Sequence, residues 1–388
     1  MNRSPKRRAC ALFTAVVLVA VPALGEEPRS TMQQIFSAIA ELLPASVRDD
    51  GFSDPARAPA QRAALMRLSD SAAALRTHAE RRNIDFQARS DELADDAERA
   101  LLAFDLGRGA EVSMALHRVT QDCVGCHSRL PDLQDAQVAE RWLDRAGLAG
   151  LRAEERARLY VATRRFDDAL QTWEGLFRDA DITPFELATS DEVVAYLTVS
   201  VRVKRNLSRA RRTLEALALR SDAPRFVSAR MSRWARDLEA LEAERATATD
   251  PLDLARELAA RARARDGIPF MRDGLVYDLV AGSLWMAWLD HPPPAATARQ
   301  RAEAWYRLAI SDERVAAATA LPRSEVYLEA ALRADRHGEF AERAYEALEE
   351  FVLWDHGAPF VEALPAPARE RMVELEALVF QDAEDATQ

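Results

Sequence analysis

Apolar residues recur every three to four positions along almost the whole chain, which is the period of amphipathic helices. Met32, Ile35, Phe36, Ile39, Leu42 and Leu43 fall at i, i+3, i+4, i+7, i+10 and i+11, and form one stripe. Ser30 or Thr31 is placed to cap this first helix and Pro44 to stop it. Asp49 to Pro59, with Gly51 and Pro55, reads as a loop. A second helix is expected from about Ala60 to Arg82, with Leu65, Leu68, Ala72, Leu75 and Ala79 on one face. A third is expected from about Asp85 to Leu106, carrying Phe86, Leu93, Ala97, Ala100, Leu101 and Phe104. Gly107 and Gly109 mark the next turn. A fourth helix follows with Val112, Leu116, Val119, Cys123 and Cys126 on its stripe. Four helices with short links predict an antiparallel four-helix bundle over residues 26–133. Residues 134–388 continue the helical period, and no alternating strand pattern occurs anywhere. The expected fold class is all-α: an N-terminal bundle, then an α-solenoid of helical hairpins.

Three stretches of the second half are alike. Arg164 to Leu176, Lys204 to Leu217 and Gly338 to Glu349 each open on a large apolar residue, with Ala three or four positions later. The pattern resembles the turn and second helix of a tetratricopeptide repeat. Phe166 and Leu207 are 41 residues apart, against the standard 34, so the resemblance is to a degenerate array. Such arrays offer a surface to a protein partner. The competing expectation is a scaffold that packs on the bundle and binds nothing else. Trp285, Trp288 and Trp305 are expected in the core. His291-Pro292-Pro293-Pro294 reads as a loop, and His337 and His356 as isolated, exposed side chains.

Composition narrows the class. Of 388 residues, 48% are hydrophobic, which suits packed domains rather than disorder. The net charge of −11 argues against nucleic acid as a partner, because phosphate binding needs clustered positive charge. Arg3, Lys6, Arg7 and Arg8 precede the apolar run Ala9–Ala20, and Ala23-Leu24-Gly25 offers a small-residue cleavage site. Residues 1–25 are therefore expected to be a signal peptide directing the chain to the periplasm. Their loss would remove four basic and no acidic residues, taking the charge from −11 to −15. No later stretch reaches the roughly 18 consecutive apolar residues of a membrane span.

Beyond the leader the chain has two cysteines, in Cys123-Val124-Gly125-Cys126-His127. C-x-x-C-H is the attachment motif of c-type haem. On a helix, residues three apart share a face, so two thiols can reach the two vinyl groups of one porphyrin. The adjacent imidazole then reaches the iron. A thioredoxin-like pair would sit near a βαβ pattern, a structural disulfide gives no use to His127, and a zinc site needs more ligands nearby. One covalent haem c is the expected cofactor, held by Cys123, Cys126 and His127. Covalent attachment on an unfolded chain favours general secretion over the twin-arginine route that Arg7-Arg8 would suggest.

With its haem motif near the end of a fourth helix, the segment from Leu116 to His127 resembles the fourth helix of the cytochrome c′ family, including its Met-ligated relatives. The resemblance covers about residues 26–131. It implies that helix one supplies the residue facing the distal side of the iron, and by position this is Met32. His117 and Met114 lie on the same helix as His127, with His117 ten residues and roughly 15 Å away, and cannot reach the opposite face. Met66 and His78 are the other residues left as distal candidates, His78 ranking next after Met32, and an iron without a sixth protein ligand is the remaining possibility. His117 can still tune the site indirectly.

The expectation is a non-enzymatic electron carrier with a helical array for docking a redox or scaffold partner. The rivals are a five-coordinate protein that binds NO or CO, and a periplasmic scaffold with structural haem. A peroxidase would need polar distal groups where helix one has Ile35, Phe36 and Ile39. No Ser-His-Asp arrangement, phosphate-cradling glycine loop or zinc helix motif occurs. The oligomeric state is left open by the sequence.

Overall fold

The computed structural model describes residues 28–46, 48, 51–79, 84–129, 151–265, 272–316 and 324–381. Every regular element among them is helical, so the chain adopts the all-α class that the periodicity predicts. The expected leader lies outside the described residues.

The first four helices are α1 (Pro28–Ser46), α2 (Ala58–Ala79), α3 (Ile84–Asp105) and α4 (Gly109–Arg129). Each packs on the next, and α1 also packs against α4. The apolar stripes meet in one core that includes Ile35, Ile39, Leu42, Leu65, Leu68, Val112, Leu116 and Val119, each at most 1% exposed. Burying each of the larger side chains contributes about 1.5–3 kcal/mol before chain entropy is charged against it.

α1 differs from expectation at both ends, and α2 begins at Ala58, so that Pro59, expected in the loop, lies in its first turn. α1 begins at Pro28 rather than after Ser30 or Thr31. A proline is tolerated at a helix start because its missing N–H would have no partner there. Pro44, expected as a stop, lies inside the last turn, and the helix runs to Ser46. Ala45 is buried there, and the Ser46 hydroxyl donates to the Leu43 carbonyl at 2.9 Å, which caps the frayed end. Gly51 folds back onto this end so closely that a Cβ would stand 1.8 Å from the Ala45 carbonyl oxygen. The turn before α4 uses Gly107 in the left-handed region, φ 70°, whereas Gly109 already belongs to the helix.

The remaining helices are α5 (Ala153–Ala162), α6 (Phe166–Arg178), α7 (Pro184–Thr189), α8 (Glu192–Thr198), α9 (Leu207–Ala218), α10 (Arg225–Thr247), α11 (Pro251–Ala264), α12 (Leu275–Asp290), α13 (Ala298–Ala316), α14 (Ser324–Ala334), α15 (Glu339–Asp355) and α16 (Ala366–Glu376). A π turn, Val199–Val203, continues α8. α5 packs on α6, α9 on α10, and α11 through α15 each on the next. The three similar stretches of sequence open α6, α9 and α15. Arg164 and Arg205, each two residues before the opening apolar residue, share a left-handed backbone with φ 59° and 51°. Trp173, Tyr196 and Trp285 are completely buried in this second core, and Trp288 and Trp305 pack against it. His291–Pro294 lies between α12 and α13, and His337 and His356 are exposed.

The two halves are not separated by a clean seam. α4 packs against α5 and against the π turn, and α3 touches α14. Leu151 and Leu159, which follow the first four helices in sequence, belong to the core of those helices. Among the described residues no helix is long and apolar enough to cross a membrane.

Candidate functional site

The residues of the C-x-x-C-H motif lie on the last turns of α4. Cys123 continues the buried stripe and is 7% exposed, Cys126 is half-buried, and His127 is 8% exposed. No disulfide joins the two cysteines. Cys123 Sγ donates to the Val119 carbonyl at 3.2 Å, the turn-back bond of a small side chain on a helix. Burial, and then the neighbouring Asp122, push the Cys123 thiol well above its ordinary value.

A narrow cleft opens at these residues. It is lined by Cys123, Cys126, His127, Asp122 of α4, by Phe86, Arg89, Ser90 and Leu93 of α3, by Leu75 of α2 and by Met32 of α1. Four helices thus meet around the motif. Met32 reaches the cleft because it starts the inward stripe of α1; it is half-buried against the core. His78, in the last turn of α2, is half-buried and does not line the cleft. Of the distal candidates, Met32 is the one brought to the motif. Met114 is 61% exposed on the outer face of α4.

The His127 ring is oriented from outside its own helix. Its Nδ1 lies 3.3 Å from the Val161 carbonyl oxygen of α5. The carbonyl can only accept, so Nδ1 carries the proton and Nε2 is left with its lone pair. Burial, with Arg164 second, depresses the ring's proton affinity to about 4, against the opposing pull of the Val161 and Ala162 carbonyls. Burial thus favours the neutral ring, and the bond at Nδ1 leaves Nε2 as the nitrogen with a lone pair to offer a metal.

Two polar groups in the cleft were not singled out by the sequence. Arg89 is 3% exposed, and its Nε has no hydrogen-bond partner. Asp122 is 7% exposed, with Oδ2 unpartnered. Burial, Glu92 and Asp96 raise the Asp122 carboxyl well above the usual range. Buried polar atoms without partners are uncommon and point to a missing one. The donor set fits haem c: two thiols one helical turn apart, a neutral imidazole with a free Nε2, a thioether, apolar walls in Leu75, Phe86 and Leu93, and a guanidinium suited to a propionate. The cleft itself is only about 20 Å³, little more than the room for one water. Its walls must part for a porphyrin.

His117, ten residues earlier on α4, faces α5 rather than the cleft. Arg158 Nη1 donates to its Nδ1 at 3.0 Å, and the Gln121 amide lies 3.2 Å from its Nε2. Burial and the Arg158 charge depress His117 to about 4. Arg158 also pairs with Glu192, which accepts from Trp173 Nε1 at 2.5 Å. Sequence periodicity gives no sign of this chain, because its members come from four separate helices.

Among the described residues no three His, Cys, Asp or Glu side chains are grouped to hold a bare metal ion, and a porphyrin-held iron needs no such group. No protein-family model, no curated protein and no solved structure matches this chain.

Proposed function

We propose that this chain is an exported, periplasmic c-type cytochrome that carries one haem and transfers electrons. The observation that supports it best is that Cys123, Cys126, His127 and Met32 line one cleft. The expected resemblance of the first four helices to cytochrome c′ belongs to the same proposal. So does the reading of the later helices as a tetratricopeptide-like array.

Bound haem would supply a one-electron Fe(III)/Fe(II) couple. The chain's own residues do the rest. Cys123 and Cys126 hold the group as thioethers. His127 offers Nε2 to the iron while Val161 fixes its ring. Met32 would offer its thioether sulfur as a further ligand to the iron, and a His/Met pair would favour a high potential and electron transfer. Leu75, Phe86 and Leu93 keep water out, and Arg89 neutralises a propionate. No proton has to move, so the chain is read as a carrier rather than an enzyme. The array would dock a redox partner. A groove between α6 and α9 is lined by Arg178 and Arg212 and by the ion pairs Arg209–Glu174 and Arg220–Asp222; Arg178 and Arg212 are the charges it would offer to an acidic partner.

The test is optical. Haem should stay with the chain through denaturing electrophoresis, and Cys123→Ala/Cys126→Ala should lose it. A low-spin spectrum with a methionine–iron charge-transfer band, lost in Met32→Ala, is expected. A high-spin spectrum that shifts readily with CO would remove Met32 from the iron and replace electron transfer by gas binding. No covalent haem at all would end the proposal.

A further inference from the structure

We infer that α5 completes the iron site: its C-terminal carbonyls hold the His127 ring, so the seating of the C-terminal helices on α4 sets the reduction potential. This rests on the haem reading above.

The contact joins parts of the chain 34 residues apart in sequence, His127 Nδ1 and the Val161 carbonyl at 3.3 Å. Val161 is completely buried, and so is the site of the bond. α5 ends here. The Arg164 N–H also donates to the Val161 carbonyl, at 2.9 Å, and the Arg165 N–H to that of Tyr160, at 2.7 Å. The turn is made by Arg164 in the left-handed region, φ 59°. The ring N–H therefore meets the negative end of a helix, where partial charge from unpaired carbonyls accumulates. Hydrogen bonding of the second nitrogen makes an imidazole a stronger donor at the first. A stronger donor favours Fe(III) and lowers the potential.

α5 is seated on the N-terminal core by the same few side chains. Leu159, 1% exposed, is part of that core. Arg158 reaches His117 on α4 on one side and Glu192 of α8 on the other. α5 therefore has one face in each core, and a shift of the later helices moves the carbonyl that holds the ring. The Val161 backbone is a positioning group for the iron ligand.

The test uses the full-length holoprotein, after covalent haem has been established. In the wild type, the hyperfine-shifted ring N–H of His127 should exchange slowly with solvent. Leu159→Ala, which loosens α5 on the N-terminal core, should speed that exchange. It should also raise the potential by about tenfold in the Fe(II)/Fe(III) stability ratio, or 59 mV for one electron. Leu170→Ala, equally buried but in the second core, should destabilise the fold yet leave potential and exchange unchanged. Fast exchange in the wild type, an unmoved potential in Leu159→Ala, or an equal shift in Leu170→Ala would each overturn the inference while leaving the haem reading intact. If no haem attaches, both fall together. Should Leu159→Ala fail to fold, the wild-type exchange rate decides alone.

Discussion

Replacing Arg158 should destabilise the protein far more than replacing an average arginine. Arg158 and Glu192 are 6% and 5% exposed and form an ion pair between α5 and α8. In Arg158→Met, Glu192 keeps one neutral donor, Trp173 Nε1 at 2.5 Å. Breaking a buried pair by removing one partner costs about 3–5 kcal/mol, because the remaining charge is stranded. Glu192→Gln keeps one carbonyl oxygen, which can accept from Arg158 or from Trp173 Nε1, and turns an amide N–H towards the other donor; it also leaves the Arg158 charge unpaired, so its cost should be of the same size, about 3–5 kcal/mol. Arg158→Met/Glu192→Gln strands no charge and should cost less than the two singles combined, by about 2 kcal/mol. In urea, for a slope of about 3 kcal/mol/M, Arg158→Met lowers the midpoint by roughly 1–1.7 M. Burial already raises the Glu192 carboxyl. Without Arg158 it rises further, so protonation relieves the stranded charge and the defect should shrink as pH falls from 8 to 5. Additive single and double variants, or a defect independent of pH, would refute the reasoning.

Other expectations follow from the same geometry. His117 is held near 4 in the folded chain against 6.5 when unfolded. The unfolded state therefore binds a proton that the folded state does not, and stability falls as pH drops from about 6.5 towards 4. In the holoprotein His117→Gln should flatten that slope in denaturation midpoints compared at pH 7 and 5; an unchanged slope counts against it. At Gly282 a Cβ would stand 2.5 Å from Arg202 Nη2, and Arg202 is locked 2.8 Å from Asp312 in the core. Gly282→Ala should cost about 1–3 kcal/mol in thermal unfolding, and a wild-type melting curve would show that Arg202 has room to move. Asn206 Oδ1 accepts from the Arg209 N–H at 2.9 Å and caps α9; Asn206→Ala should cost about 1 kcal/mol, and Asn206→Asp should restore it.

The helices and the motif were legible because their signals are local. The α1 stripe placed Met32 on the inner face, and the C-x-x-C-H spacing marked the end of α4. Proline was the misleading signal: Pro44 reads as a stop, yet one lost N–H near a helix end is cheap when Ala45 has a core to enter. What stayed hidden depends on long-range encounters. The group that orients His127 is a backbone carbonyl, which every residue has, so no residue type announces it. Arg158, Glu192, Arg202 and Asp312 read as ordinary helix-surface charges. Only packing shows that they are buried in pairs.

On the proposed haem reading, the burial of Cys123 constrains the order of folding and haem attachment. Its thiol donates to the Val119 carbonyl, burial disfavours its ionised form, and only 7% of the residue is exposed, at the edge of the narrow cleft. Addition to a vinyl group needs a thiol that can be reached and ionised. A chain that folds before its haem arrives hides the reactive sulfur behind its own core. Folding and haem loading would then compete, because the cleft walls close over Cys123 as the helices pack. On that reading, the yield of loaded protein would depend on haem reaching the chain while Cys123 is still exposed.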